Sequence, residues 1–382
     1  MKKIKILQIN KFYAPWVGGV ERVVQNIAEG LNTKSDMKVL VCQSKGKAEK
    51  TTVNNVQIIR SASLGIFYSM PVSFDFIFKL WKLSRQHDIL LFHTPFPLAD
   101  IACLFSGYRG KIVVWWHSDI ISQRKLLKII KPILKWFLKR ADVIVTATQA
   151  HIDSSAFLRP HREKCKIIPF GLKFSDYEQV GINHYLTNKM SDTQHKKLLF
   201  VGRLVYYKGI DILIQAMRTV RKAELFIVGS GTLEGDLKFR TESEGLSDTI
   251  HFLGYLPFEE LKAAYADCDV FVFPSNAQVE AFGLAQMEAM FYGKPVVNTN
   301  LPTGVPLVSI HEKTGLTVPV NDVPALSSAI QRMIDDDELR IRLGINARQR
   351  VYEEFDFDKM MDRVYDLFEK LANHDSTKPP AS

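Results

Sequence analysis

The chain is poor in cysteine. Its four, at positions 42, 103, 165 and 268, lie too far apart for a disulfide framework or a short-spaced zinc motif, and a reducing compartment fits that usage. No apolar run approaches the about 18 uninterrupted residues that a spanning helix needs. The opening MKKIKILQIN interrupts its short apolar stretch with Lys5 and Gln8, so it reads as a first buried strand rather than a signal peptide. Tandem repeats and long low-complexity segments are missing as well, and no zinc-finger or RNA-recognition pattern accompanies the basic residues; no specific nucleic-acid partner is expected.

What remains is a chain of 382 residues, 46% of them hydrophobic, enough for substantial cores in one or two globular domains. The formal charge of +9 suits phosphorylated ligands, nucleic acid or an anionic membrane and does not choose among them. Apolar runs near 4, 38, 88, 111 and 142 alternate with helical patterns, and a second series follows near 197, 223, 250, 269 and 294. Such alternation predicts an α/β fold of two doubly wound, Rossmann-like domains. The expected division is 1–175, a linker over 176–195, a second domain over 196–350, a helix over 351–372 that could return to the first domain, and a loose tail over 373–382. Sheets of this kind bind ligands at the carboxyl ends of their strands, so a shared interdomain cleft is expected.

Two stretches carry the chemistry. In FVGRLVYYKG, Arg203 offers a planar fork and Lys208 a compact ammonium after a strand, a pairing suited to a diphosphate and to charge that develops as its bond to a sugar breaks. The alternative is an ordinary charged turn. In EAFGLAQME, Glu280 and Glu288 on one continuous helix would lie about 80° and about 12 Å apart. They are therefore expected in different places: Glu280 in a turn accepting sugar hydroxyls, Glu288 inside a helix accepting a ribose diol, and the amides near Ala281, Phe282, Gly283 and Leu284 facing phosphate. Against this stand a helix-end acid at 280 and a solvated helix residue at 288.

Gly18 and Gly19 can let backbone amides approach a ligand, or can serve a packing turn only. His117 follows the run KIVVWW, where a neutral imidazole could hold a sugar hydroxyl or be satisfied by local backbone. Gly171 and Asp176 could shape an interdomain turn. The DCD at 267–269 superficially suggests a metal motif but sits where a helix should end and a strand begin; the DDD at 335–337 reads as a solvated loop.

In combination, GRLVYYKG, EAFGLAQME, FYAPWVGGVE and HSD resemble, in order and over nearly the whole chain, the motifs of retaining glycosyltransferases of the GT-B class, family 4. The resemblance implies a catalytic set of Arg203, Lys208, Glu280 and His117, with Glu288 on the nucleotide ribose, no cofactor and metal-independent transfer. It implies a same-face substitution in which the departing phosphate helps deprotonate the acceptor hydroxyl. EAFGLAQMEAM followed by KPVVNTNLPTGVP is similar to lipopolysaccharide and O-antigen mannosyltransferases, which makes GDP-mannose the expected donor and a UDP-hexose or UDP-N-acetylhexosamine the alternative. A hydrolase using both glutamates and a non-enzymatic binding module are the competing classes.

The same resemblance points to a polyprenyl-diphosphate-linked glycan as acceptor, at the inner face of the bacterial cytoplasmic membrane. RKLLKIIKPILKWFLKR, over 124–140, carries seven Lys or Arg and no acid. Arg124, Lys125, Lys128, Lys131, Lys135 and Trp136 are the expected membrane or acceptor surface, with the apolar side entering the interface and Pro132 a candidate kink. Packing of this helix on the protein's own sheet is the alternative.

Overall fold

A computed structural model describes residues 3–16, 18–67, 70–119 and 124–373, with backbone alone over 124–129. The chain divides into two compact units, one running to Phe170 and resuming at Asp358, the other spanning Gly171–Phe357.

The first unit contains β1 (Lys5–Ile9), β2 (Asp36–Cys42), β3 (Glu49–Val53), β4 (Val56–Ser61), the short β5 (Ile66–Phe67) and β6 (Met70–Pro71), β7 (Ile89–Thr94), β8 (Lys111–Trp116), β9 (Val143–Thr146) and β10 (Cys165–Ile167). Its main sheet has the order β10-β9-β8-β7-β1-β2-β4-β3, parallel except where β3 runs antiparallel to β4. Every residue of β7 and β9 is buried, because helices cover both faces and an apolar run then costs nothing on either side. The chain winds outward from β1 to β4, crosses back to β7 and winds the other way. Order reverses between β1 and β7.

In the second unit β11 (Lys196–Val201), β12 (Ala223–Val228), β13 (Ile250–Gly254), β14 (Val270–Phe273), β15 (Val296–Thr299) and β16 (Gly315–Val318) make an all-parallel sheet, order β13-β12-β11-β14-β15-β16. This is the doubly wound dinucleotide-fold order, and it reverses between β11 and β14. Asp322 caps the helix Val323–Asp335 by accepting from the Ala325 amide at 2.9 Å, and Asp336 caps Asp337–Glu354 by accepting from Leu339 N at 2.8 Å. The DDD at 335–337 is thus the junction of two helices rather than a loop.

All ten apolar runs become strands. Of those overlooked, β4 and β16 are apolar and mostly buried and β10 is short, while β3 is largely exposed and turns into β4 through Asn54 and Asn55, both with positive φ, a hairpin signature carried by side-chain type and not by hydrophobicity. The helical pattern near 351–371 is split into Asp337–Glu354 and Phe357–Asn373, since Asp356 bridges to Leu172 and Phe357 N donates to Leu172 O at 3.2 Å. Gly171 lies against this crossing, where a Cβ would come 2.6 Å from Phe357 Cα, while Asp176 is exposed beside Lys173. From Asp358 on, this last helix groups with the first unit, where Asp362 accepts from Lys34 Nζ at 2.7 Å. The tail from 374 lies outside the described residues.

One buried group in the first unit is out of place. Asp100, in the helix Pro97–Ser106, is 3% exposed with Oδ1 unpartnered, and burial raises its carboxyl to about 8. A raised carboxyl binds its proton in the folded state at pH values where the unfolded chain has released it, so its destabilising effect grows as pH climbs from about 4 to about 8. Asp100→Asn should therefore gain in urea midpoint over the parent protein as pH rises across that window; a midpoint difference independent of pH would contradict the assignment.

Candidate functional site

The strand-order reversal in the second unit puts the loops after β11 and β14 side by side. Asn276 N donates to Tyr207 O at 2.8 Å and ties them together. On the β11 side, Tyr206–Lys208 form a 3-10 turn that ends at Gly209, which takes φ +64 and caps the helix Ile210–Met217. A Cβ on Gly209 would stand 2.1 Å from Pro274 O, so the loops meet this closely only because the residue has no side chain.

Lys208 Nζ donates to Glu280 Oε2 at 2.5 Å, and Ser275 Oγ donates to the same oxygen at 3.2 Å. Both side chains of the ion pair are mostly buried, 13% and 12% exposed, with the ammonium 4.9 Å from the centroid of the Phe273 ring and 5.7 Å from that of Tyr207. Arg203 is exposed, and its Nη2 donates to Tyr207 Oη at 3.0 Å. Two cations on one loop and a carboxylate on the other therefore share the end of the sheet where doubly wound folds take ligands.

Glu280 N closes a turn onto Ala277 O at 3.0 Å, before the helix Leu284–Phe291 begins. That helix starts at Gly283, φ +82, with no side chain capping its first amides, an arrangement receptive to an anion. Ala281 O accepts from Gly304 N at 2.7 Å, and Phe282 is buried and meets Phe355 edge-on, so these two hold the loop rather than present side chains to a ligand.

The two glutamates do occupy different places. Glu288, one turn into the helix, is 5% exposed: Tyr177 Oη donates to Oε1 at 3.0 Å and Tyr265 Oη to Oε2 at 2.7 Å. It is no solvated helix residue. A ribose diol would have to use the second lone pair of each oxygen. Gln286, buried beside it, accepts from Asn298 Nδ2 at 3.0 Å and donates to Phe282 O at 3.3 Å, bracing the helix against β15. Ser275, Tyr177, Tyr265, Gln286 and Asn298 are absent from the sequence-based site; Ser275 alone had a visible signal, its place directly after the strand end FVFP.

Asp267 accepts from Leu186 N and Thr187 N at 2.7 and 2.8 Å and pairs with Lys197 at 3.0 Å; Asp269 accepts from Lys197 N at 2.7 Å. Both carboxylates of the DCD are committed to structure, and among the described residues no cluster of acids, histidines and cysteines is arranged for a metal ion.

In the first unit Gly18 precedes the helix Gly19–Leu31 with φ −173 and ψ 165, extended backbone that any residue can take, so neither its conformation nor that of Gly19 inside the helix calls for glycine. His117 stands just after β8, 7% exposed, and its Nε2 lies 2.8 Å from Nδ1 of the buried His93 on β7. Burial, with His151 nearby, lowers His117 to about 3, so the ring is neutral near pH 7. Of the basic segment, the helix Arg124–Arg140 buries Ile130, Leu134, Phe137 and Leu138 in the unit's own core, with Phe137 edge-on to Phe92 at 5.0 Å. Ile130, Leu134, Phe137 and Leu138 are thus covered by the protein itself, as the alternative reading of the segment has it, and the apolar side chains of 124–129 lie outside the described residues. Lys131, Lys135 and Trp136 are exposed, the helix continues across Pro132, and the side chains of Arg124, Lys125 and Lys128 lie outside the described residues.

The family models for glycosyl transferases group 1 and for glycosyltransferase family 4 match residues 187–350 and 17–174 respectively. An O-antigen chain mannosyltransferase C from Escherichia coli is 29% identical over 98% of this chain and 100% of its own length. The D-rhamnosyltransferase WbpZ of Pseudomonas aeruginosa is 30% identical, with 92% of each chain covered. Among solved structures, Anabaena Alr3699/HepE in complex with UDP-glucose superposes with a TM-score of 0.76 at 19% identity, covering 96% of this chain and 100% of that one. An Escherichia coli trehalose-6-phosphate structure bound with UDP-2-fluoro glucose gives 0.73 at 12%, over 95% and 98%. At such identities the structural likeness shows the fold: GT-B, built of two Rossmann-like units.

The close approach at Gly209 gives a test of the loop pairing. Gly209→Ala should lower stability by about 2 kcal/mol or more, from a positive φ and a clash with backbone, read from urea unfolding; a midpoint unchanged from the parent would show that the two loops are not held this closely.

Proposed function

The chain belongs to glycosyltransferase family 4 and is a glycosyltransferase of the GT-B fold; from that premise we propose that it moves a hexose from a UDP-linked donor to a hydroxyl of a lipid-linked glycan, with retention. The observation that carries the donor half is the Lys208–Glu280 pair at the β11/β14 reversal, beside the uncapped start of the helix Leu284–Phe291. Lys208 and Arg203 neutralise the diphosphate, the helix amides receive its oxygens, and Glu280 accepts sugar hydroxyls. The bond from the anomeric carbon to phosphate oxygen breaks as the bond to the acceptor oxygen forms on the same face, and the acceptor proton passes to the departing diphosphate. The protein aligns the reactants and steadies phosphate charge.

GDP-mannose, the donor expected from the sequence, is not retained. A D-rhamnosyltransferase matches at 30% identity beside the mannosyltransferase at 29%, so the relatives do not agree on the sugar, and the solved relatives named with sugar nucleotides carry UDP-glucose or UDP-2-fluoro glucose. These favour the UDP-hexose alternative, and nothing among the described residues selects guanine. Transfer of radiolabel from UDP-glucose, UDP-galactose, UDP-N-acetylglucosamine and GDP-mannose to lipid-linked glycans decides the donor: a UDP-hexose should be preferred, and preference for GDP-mannose would overturn this reading. With the preferred donor, Arg203→Ala and Lys208→Ala should each cost on the order of 100-fold in turnover, whereas full activity in the double replacement would displace the site.

The names of the relatives favour a growing surface polysaccharide as acceptor, and we place this enzyme peripherally on the inner membrane face. No helix among the described residues is long and apolar enough to cross a membrane. Among the described residues, apolar surface that could enter lipid lies on the neighbours of the basic helix. Phe74, Phe78 and Trp81 are 76%, 60% and 42% exposed on one stripe of the helix Phe74–Ser84, with Phe78 and Trp81 stacked at 5.8 Å. Leu104 and Phe105 are exposed on the adjacent helix Pro97–Ser106, which packs in turn against Arg124–Arg140 with its exposed Lys131 and Lys135. Arg85 lies over the Trp81 ring at 4.1 Å. Aromatic side chains beside cations are the chemistry of an anionic lipid interface. Replacing Phe74, Phe78 and Trp81 together by Ser should abolish sedimentation with vesicles containing phosphatidylglycerol while donor binding is kept; undiminished sedimentation would count against this surface.

A further inference from the structure

We infer that Gln8 and His93 are positioning residues that fix His117 as a hydrogen-bond donor through Nδ1. The inference rests on the reading of His117 as a group that meets the sugar, and adds which of its ring nitrogens carries the proton.

The three side chains form a line from the middle of the first sheet to its carboxyl end. Gln8 on β1 is fully buried, with Nε2 placed 3.1 Å from Val24 O and 2.7 Å from His93 Nε2; Oε1 is buried without a partner. The carbonyl of Val24 can only accept, so the amide is fixed with nitrogen towards it, and the second amide hydrogen goes to His93. His93 Nε2 therefore accepts and carries no proton. The neutral ring holds its single proton on Nδ1, which donates across 2.8 Å to His117 Nε2. His117 Nε2 accepts in its turn, and the remaining proton of that ring sits on Nδ1. Among the described residues no partner for His117 Nδ1 is found.

Both rings must be neutral for this line to hold, and they are. Burial drives His93 well below its ordinary value, helped by His117, and lowers His117, helped by His151. Asp119 does not reverse this: it is turned to other donors, accepting from Trp116 Nε1 at 3.0 Å and Ser155 Oγ at 2.7 Å, and its nearest histidine nitrogen is His151 Nε2 at 3.9 Å. Ring orientation is fixed as well. His117 stacks on His93 at 5.1 Å and on Phe170 at 6.0 Å, and His93 stacks on Trp115 at 6.0 Å. A fixed Nδ1–H can donate to a sugar hydroxyl and cannot take a proton from one, so His117 is a holder of substrate and not a general base.

The test reads the proton directly. In protein labelled with 15N-histidine, the imidazole 15N–1H spectrum should show the proton of both His93 and His117 on Nδ1; a proton on Nε2 of His117 overturns the inference whatever the activity. Gln8→Met keeps the length of the side chain and removes its donor. It should divide the His117 signal between two tautomers and lower turnover about tenfold, with the KM for donor little changed. A fall in turnover without a tautomer change, or a tautomer change without a fall, rejects the positioning role. His117→Ala separates the two claims: unchanged turnover there would remove His117 from the reaction, while leaving the proton assignment standing or falling on the spectrum alone.

Discussion

The second unit depends on the contact between two loops that a parallel sheet brings together only once, at the reversal between β11 and β14. Elsewhere in a doubly wound sheet the connections that follow neighbouring strands leave over the same face; at the reversal they leave over opposite faces, and a crevice opens between them. Here Lys208 enters from one side and Glu280 from the other, and Gly209 makes the approach sterically possible. An ion pair this buried loses much of its solvation, and replacing either member alone leaves an uncompensated charge. Such a pair is a weak device for stability; in the function proposed above it serves a ligand, a diphosphate offering Lys208 further negative charge and a sugar hydroxyl offering Glu280 a donor, with the desolvation already met before the ligand binds.

The same geometry separates the transferase from the hydrolase that two nearby glutamates first suggest. A retaining hydrolase requires both carboxyl groups at one anomeric carbon, about 5 to 5.5 Å apart. Glu280 faces a lysine and a serine in a turn, whereas Glu288 is gripped by Tyr177 and Tyr265 inside the unit. Neither is placed as the partner of the other. Their separation along the chain follows from one residue lying before the helix and the other a full turn into it.

How far the sequence reveals this depends on which physical signal a residue carries. Apolar runs disclose strands because burial on both faces demands them, so both Rossmann-like units were legible from the ten runs alone. β3 and β10 were not, since an edge strand can be polar or short and satisfy its backbone on one side. At the site, Arg203, Lys208 and the two glutamates stand out as charges beside apolar segments. Tyr177, Tyr265 and Asn298 do not, because a buried phenol or amide looks like any other residue until its partner, 111 positions away for Tyr177 and Glu288, is folded against it. The basic helix misled for the opposite reason: its apolar positions were correctly found, but amphipathicity alone does not say whether lipid or protein covers them, and Phe92 does.

The first unit shows what a buried polar line can do that a charged pair cannot. Gln8, His93 and His117 carry no net charge, so their burial avoids the large cost of an isolated ion while each hydrogen bond gains from the low dielectric around it. The direction of the line is set at its inner end, by a backbone carbonyl that has no alternative to accepting. Each member then has one way to satisfy its neighbour, and the last ring must present its proton outward. The unpartnered oxygen of Gln8 is the cost of that choice: turning the amide over would set Oε1 against the carbonyl of Val24 and leave that acceptor facing an acceptor. Polarity is thus transmitted from a main-chain atom on the helix Gly19–Leu31 to a ring at the end of β8 without any group that needs to ionise.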